Sequence, residues 1–455
     1  MGGQVGSWEV KLAGPSGESS DSTSRLHTQA YIFLIYLTPV NWIPAPEELF
    51  YATPSKKDKV PLPDISADPT TLALSVIVPA FNETSRLEKM LIEAVDYLET
   101  VDVAEPAGET SLLPKGVAPG SYEILVIDDG SSDDTTAFAL SVAAKLAKQY
   151  KAARGTVKVV ELFQNRGKGG ATKFGVLRAS GYRVLWADAD GASKFSCLGQ
   201  LQAELDGLER AQKAAALTSV VSDAAVSPKG EYIDLGDAKR AELLHSVTEG
   251  WQGGHGLVVG SRAHLVGTEQ VAKVSFRATL ETRGASLAAS SPAADPPRPP
   301  ARPPLSFGVV LLTPQPLWLD DDLQRSFVRN LLMRAFHSYL FLMGITQVRD
   351  TQCGFKLQSR LTAAHIYPLL HSNGWIFDCE LLLLCGMARI PVSEVGIEWR
   401  EVDGSKLRIA ADSVRMAADL LCVRGNYLLR RWARPARVPS WAGARPRSLA
   451  QKKRQ

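Results

Sequence analysis

From Leu74 to Arg262, short apolar runs alternate with segments whose apolar residues recur every three or four positions. The runs are Leu74–Pro79 (LSVIVP), Glu123–Ile127 (EILVI), Val157–Leu162, Arg183–Ala187 (RVLWA) and Leu257–Val259. Each has the length and content of a buried strand. After the first run, Ser85-x-x-Glu88 forms a capping-box pattern, and Leu87, Leu91, Ala94 and Leu98 then share one helical face. Further helical patterns span about Thr135 to Tyr150 and Lys168 to Ser180. Strand–helix units repeated in this way predict an α/β fold, with a mainly parallel sheet flanked by helices.

The flanking segments differ in character. Residues 1–70 carry many prolines and little regular pattern. Within them Ala30 to Trp42 is apolar but interrupted by Pro39, and it is shorter than the roughly 20 residues of a spanning helix. It reads either as a short membrane anchor or as an irregular segment packed on the domain. Residues 214–250 read as an elaborated loop with a short helix. Residues 274–322 are rich in Ala, Pro, Ser and Arg and predict a disordered insertion. In 323–435, Ser326–Ile345 and Val414–Trp432 are apolar stretches with interspersed arginines. They read as buried core helices or as helices lying in a membrane interface. A basic tail, 436–455, ends in Lys452, Lys453 and Arg454 and suits an anionic surface.

Charge and cysteine usage narrow the classes. A net charge of +3 over 455 residues argues against a general nucleic-acid binder. The five cysteines are scattered without a Cys-x-x-Cys pair, which disfavours a disulfide framework and a structural zinc site.

The polar clusters sit where the strands end. They are Pro79-Ala80-Phe81-Asn82-Glu83, Asp128-Asp129-Gly130-Ser131-Ser132, Asn165-Arg166-Gly167-Lys168-Gly169-Gly170, Asp188-Ala189-Asp190-Gly191 and Gly260-Ser261-Arg262. Each alone is ordinary turn or cap chemistry. Five in order at one rim point to a ligand site, because open α/β sheets bind beyond the carboxyl ends of their strands. Asp188 and Asp190, two apart, can both face a divalent cation such as Mg²⁺ or Mn²⁺, which takes hard oxygen ligands. Arg166 and Lys168 supply positive charge, while Gly167, Gly169 and Gly170 admit close backbone approach to a diphosphate. Asp129 can accept a hydrogen bond from a base imide. Gly-x-Gly-x-x-Gly after the first strand and Gly-x-x-x-x-Gly-Lys-Ser/Thr are both absent, which disfavours a nicotinamide dehydrogenase and a P-loop kinase.

SVIVPAFNE, EILVIDDGSSDDT, NRGKGGATKFGVLRASG, WADADGA and VVGSR together resemble glycosyltransferase family 2, with its GT-A (Rossmann-like) fold. RSFVRNLLMRAFHSYLFLMGITQVRDTQCGFKLQSR, WIFDCELLLL and EWREVDGSKL continue the resemblance, which is strongest to members that glucosylate dolichyl phosphate. It implies a nucleotide-sugar-binding part at 71–273, an acceptor-binding part at 323–435 and membrane-associated C-terminal helices. The implied reaction is inverting transfer of glucose from UDP-glucose to dolichyl phosphate, for protein N-glycosylation. The implied location is the endoplasmic reticulum membrane, with the catalytic part facing the cytosol. Pro79, Ala80, Asn82, Glu83, Asp129, Arg166 and Lys168 would hold the nucleotide. Asp188 and Asp190 would bind the metal, with Asp188 also near the ribose. Arg262, Arg329, Lys356, Ser405 and Lys406 are the implied acceptor-phosphate residues. Asp378 and Glu380 are implied sugar- or acceptor-binding acids; otherwise their segment is a capped core helix with Phe377 and Leu381 inward. The competing readings are a dolichyl-phosphate mannosyltransferase using GDP-mannose, a soluble transferase adding sugar to a protein or glycan hydroxyl, and a non-catalytic sugar-nucleotide sensor. The sequence makes no prediction of oligomeric state.

Overall fold

The computed structural model describes residues 38–39, 42–101, 112–150, 153–224, 235–249, 251, 253–265, 338–402 and 409–443. Nine strands form one sheet: β1 (Phe50–Thr53), β2 (Lys56–Pro61), β3 (Leu72–Ala80), β4 (Tyr122–Asp128), β5 (Gly155–Glu161), β6 (Gly181–Ala187), β7 (Leu257–Ser261), β8 (Phe355–Ser359) and β9 (Val392–Gly396). Their order is β2-β1-β5-β4-β3-β6-β8-β7-β9. Strands β5, β4, β3 and β6 run parallel, and β8 pairs antiparallel with both β6 and β7. Strands β6 and β7 therefore point the same way, and the ends of β3 to β7 share one rim. The expected mainly parallel α/β sheet is present.

Alternation along the strands builds two cores. Ile77, Leu125, Ile127, Val184 and Trp186 face one layer. It is filled by helices α3 (Gly167–Val176), α6 (Arg360–Ile366), α7 (Phe377–Ala388) and α8 (Ile409–Leu428). Val76, Val78, Ile124, Val126 and Leu185 face the other. There α1 (Leu87–Thr100), α2 (Thr135–Gln149) and α4 (Leu198–Ala224) pack. A further helix, α5, spans Gly236–Glu249. Every residue of β4 and β6 is buried, which is why these strands read as unbroken apolar runs.

Three features depart from the sequence reading. Within 1–70, read as irregular, β1 and β2 form a hairpin, and β1 extends the sheet beside β5 through Ala52 and Val159. The stretch from 214 to 224, read as loop, continues α4 as helix. Strands β8 and β9 come from the segment after the Pro-rich block, so the parts expected at 71–273 and 323–435 share one sheet. Strand β8 (FKLQS) lacks an apolar run because it buries Lys356 and Gln358. The Pro-rich block and the basic tail from 444 lie outside the described residues, as does most of Ala30–Trp42 and of Ser326–Ile345. No described helix is long and apolar enough to cross a membrane.

One buried carboxylate ties four strands. Glu123, fully buried on β4, accepts from Ser75 Oγ of β3 at 2.5 Å and from the Ser180 N–H before β6 at 2.7 Å. Lys158 of β5 reaches it at 2.5 Å. Deleting one partner of a buried ion pair leaves the other unpaired, at about 3–5 kcal/mol. Glu123→Ala is therefore expected to lower unfolding free energy by about that amount, measured by chemical denaturation.

Candidate active site

Asp188 follows the last residue of β6, and its backbone N–H donates to Gly354 O at 3.0 Å, just before β8. A Cβ at Gly354 would lie 1.8 Å from Asp188 Oδ2, so only glycine leaves room for that carboxylate. Gly191, at φ +65°, turns the chain after Asp190, whose Oδ1 accepts from the Ala192 N–H at 3.0 Å. Both acids stay partly open to solvent, the Asp188 side chain at 30%.

A cation faces them from α3. Gly167, at φ +77°, starts the helix, and the next residue brings Lys168 Nζ to 2.6 Å from Asp188 Oδ1. That ammonium also lies 5.3 Å from the Trp186 ring and 5.2 Å from the half-exposed Trp375 ring. Burial alone would lower its pKa, but the charges of Asp188, Asp378 and Asp190 outweigh it and hold Lys168 protonated. Burial and the neighbouring Asp188 charge push Asp190 above the usual carboxylate range. Beneath this pair, fully buried Lys356 donates to Asp378 Oδ1 at 2.6 Å and to Cys353 O at 2.7 Å. Burial raises the Asp378 pKa against the pull of Lys356 and Lys168.

The nucleotide-side candidates lie at the adjoining strand ends. Pro79 and Ala80 close β3, paired with Ile127 and Asp128 of β4. Asn82 takes φ +53°, and its Oδ1 accepts from the Ser132 N–H at 2.8 Å, joining the first two loops. The Glu83 carboxylate is gripped by Arg86 at 2.6 and 2.8 Å. Buried Asp129 donates its N–H to Ala80 O and accepts from the Arg166 N–H, both at 2.8 Å. Burial pushes its carboxyl up to about 7, opposed by the Arg166 and Gly167 N–H groups.

Several candidates sit differently from the reading of them as free ligand groups. Arg166 is buried and its guanidinium is paired with Glu48, so it is not a free cation for a diphosphate. Lys356, expected among the acceptor-phosphate residues, lies fully buried and paired with Asp378 at 2.6 Å. Glu380 accepts from the His371 N–H at 3.1 Å, the Ser372 N–H at 2.7 Å and Tyr427 Oη at 2.8 Å. It is thus a fully buried carboxylate held by backbone N–H groups and Tyr427, away from the position expected of a sugar- or acceptor-binding acid. Asp378 likewise meets Lys168 through its field and Lys356 by contact. Arg262 follows the last residue of β7 and is half-exposed, held by Asp350 through Nε at 2.7 Å and Nη2 at 2.9 Å, and lies 5.6 Å from the Trp399 ring. Burial lowers its pKa, but Asp350 raises it further, keeping the charge fixed at the rim. Arg329, Ser405 and Lys406 lie outside the described residues. Sequence reasoning missed Glu48, Trp375 and the space-making role of Gly354. Gly354 and Trp375 lie within the segments RDTQCGFKLQSR and WIFDCELLLL that carry the resemblance, while Glu48 lies in none.

Residues 75–219 match glycosyl transferase family 2. The chain is 33% identical over 391 residues to the dolichyl-phosphate beta-glucosyltransferase of Saccharomyces cerevisiae, covering 85% of this chain and 86% of that protein. The chain belongs to the dolichyl-phosphate beta-glucosyltransferase family. Its likeness to the Homo sapiens member is 31% over 386 residues, 85% of each chain. A solved glucosyl-3-phosphoglycerate synthase from Mycobacterium tuberculosis, in complex with uridine diphosphate, aligns at 15% identity and TM-score 0.38, over 83% of this chain and 91% of that one. Within the family-2 segment lie Asn82, Asp129, Lys168, Asp188 and Asp190; Arg262, Asp350 and Asp378 lie beyond it.

Two outcomes follow from this geometry. Gly354→Ala is expected to displace Asp188 and, if this rim binds a nucleotide with a divalent metal, to weaken that binding by at least about 10-fold while far-UV circular dichroism is unchanged. Asp129 has its folded pKa raised from 3.8 to about 7, so the native state binds a proton that the unfolded chain releases. Its contribution to stability is present below about pH 4 and is lost as pH rises towards 7. Asp129→Asn is expected to remove that slope, with a difference on the order of a few kcal/mol by pH 7, read from denaturation midpoints across pH.

Proposed function

We propose that this protein transfers glucose from UDP-glucose to dolichyl phosphate with inversion at the anomeric carbon. The observation that carries the reading is the Asp188–Lys168–Asp190 cluster at the sheet rim, in a chain of this family. An acceptor phosphate oxygen attacks the anomeric carbon, the bond from that carbon to the diphosphate breaks, and UDP leaves. The acceptor is a phosphate monoester, largely ionised at neutral pH, so no side chain has to remove a proton. That fits a site whose deeper acids are paired in the core: Asp378 with Lys356, and Glu380 with backbone N–H groups and Tyr427.

The residues present fit a divalent cation, Mg²⁺ or Mn²⁺. Asp188 and Asp190 offer hard oxygens, and their mutual repulsion is what such an ion relieves. Bound there, the ion would supply charge compensation for the diphosphate leaving group. Lys168 adds a fixed ammonium beside the same oxygens, and Arg262, oriented by Asp350, offers a second cation for the acceptor phosphate. Asn82, Glu83 and Asp129 shape the nucleotide side.

The lipid acceptor places the reaction at a membrane surface, and we assign it to the endoplasmic reticulum with the site facing the cytosol. Phe341 and Leu342 are exposed, as are Leu421, Leu428 and Leu429 of and just after α8, and exposed Arg430 follows Leu429 in the chain. Apolar and basic groups side by side suit an anionic interface. Release of the full-length protein from membranes by salt alone counts against this part.

The test is incubation of the full-length protein with UDP-glucose, a divalent metal and dolichyl phosphate, with the product identified by mass. Dolichyl glucosyl phosphate is expected, and GDP-mannose is expected to give none. UDP-glucose binding without any lipid product would favour a sensor instead. Asp190→Ala is expected to lower turnover by at least about 1,000-fold with the thermal midpoint little changed. Normal turnover in that variant removes the metal assignment.

A further inference from the structure

The segment before β3 contacts both ends of the helix that carries Lys168. At the first end, Glu48 is buried at 2% exposure. Its carboxylate accepts from the Ala45 N–H and the Phe163 N–H, each at 2.8 Å, and pairs with the Arg166 guanidinium. Arg166 is itself buried, and its backbone N–H donates to Asp129. Gly167 and Lys168 follow at the start of α3. At the far end, the Ile65 N–H donates to Leu177 O at 2.9 Å, and Asp64 pairs with Arg178 at 3.1 Å. Between the two grips, β1 is hydrogen-bonded to the edge of β5.

We infer that Glu48 is a positioning residue for donor binding, acting through Arg166 on Asp129 and Lys168. The inference rests on the donor-binding role proposed for α3. A buried ion pair is a weak source of net stability, because desolvation offsets most of the attraction. What it fixes well is geometry: the guanidinium is planar and its contacts directional. Arg166 lies one residue from the helix start and two from Lys168. A loop free to shift there changes both the Asp129 contact and the Lys168–Asp188 distance, and displacements near 1 Å are costly in a binding site. Glu48 is 118 residues from Arg166, so the segment leading into the β1–β2 hairpin has a say in a site otherwise built by the strands from β3 onward.

The test compares wild type with Glu48→Gln, Arg166→Gln, the double variant and Glu48→Asp, with Asp64→Ala as a comparator at the exposed far grip. UDP-glucose affinity with Mg²⁺ is read by calorimetry, KM and kcat by product formation, and hydrogen exchange of residues 164–170 without donor. Glu48→Gln is expected to raise Kd and KM about 10-fold while kcat stays within about 3-fold. Exchange at 164–170 rises while β3 and β4 stay protected, and Glu48→Asp recovers part of the affinity. The double variant is no worse than either single one, since the two residues act as a unit. Asp64→Ala changes Kd less than about 2-fold. Unchanged Kd and KM, a fall in kcat alone, or additive effects of the two substitutions overturn the inference. If Glu48→Gln fails to fold, the double variant, which leaves no buried charge unpaired, and Glu48→Asp read the same quantities. A wild type that binds UDP-glucose but makes no lipid product overturns the proposed acceptor and leaves the Glu48 comparison standing. A wild type that ignores UDP-glucose overturns both.

Discussion

Two carboxylates, Asp188 and Asp190, face the ammonium of Lys168 at the rim of the sheet, and buried Asp378 acts on it from below. Like charges gathered where solvent is partly excluded repel one another and lose hydration, so this cluster persists only because cations face it from fixed positions. Lys168 is fixed by the start of α3, and Lys356 by β8. The sheet order follows the same need. Inserting β8 antiparallel between β6 and β7 puts Gly354 against Asp188, where its missing side chain leaves the carboxylate a place to lie. A parallel strand in that slot would present its other end to the rim.

The parallel strands and their polar ends were legible because burial on both faces turns β3, β4 and β6 into apolar runs that stop at turn residues. Strand β8 was not, since its buried Lys356 draws its stability from Asp378, 22 residues away. The β1–β2 hairpin was hidden for a related reason: its short strands are held by an edge pairing with β5, not by a pattern of their own. The residue types at the site were legible; the directions of their side chains were not. Arg166 and Lys168 read alike as cations beside glycines. One turns to buried Glu48 and the other to Asp188, and only the fold separates them. Arg329, Ser405 and Lys406 lie outside the described residues, so their expected roles rest on the sequence alone.

Glu380 shows how a residue in a suggestive motif can serve the site from behind. Its carboxylate holds the N–H groups of His371 and Ser372, and Tyr427 of α8 donates to it from the other side. The loop it fixes reaches α3 through Asn373 O, which accepts from the Gly170 N–H at 3.1 Å. The same oxygen lies 2.6 Å from where a Cβ on Gly167 would stand. Helix α3 is therefore held from one side by the Glu48 arm and from the other by this loop. A glycine-rich helix start has little packing of its own, so rigid neighbours on both sides set its position.

The same economy of proton-transfer groups runs through the proposed chemistry. A sugar hydroxyl acceptor needs a base with an open, tunable carboxylate or imidazole near the reacting oxygen. The deeper acids here are committed to Lys356, to backbone N–H groups and to Tyr427. A phosphate acceptor instead brings its own negative charge to a centre already crowded with a diphosphate, so the barrier lies in repulsion. Fixed cations answer that problem, and fixing them takes partners. Arg262 is held by Asp350, whose own N–H is in turn held by Glu394 of β9 at 3.0 Å. A cation anchored through two layers of carboxylate loses little freedom when an anion arrives, and for that reason the paired state of Arg262 suits a phosphate site.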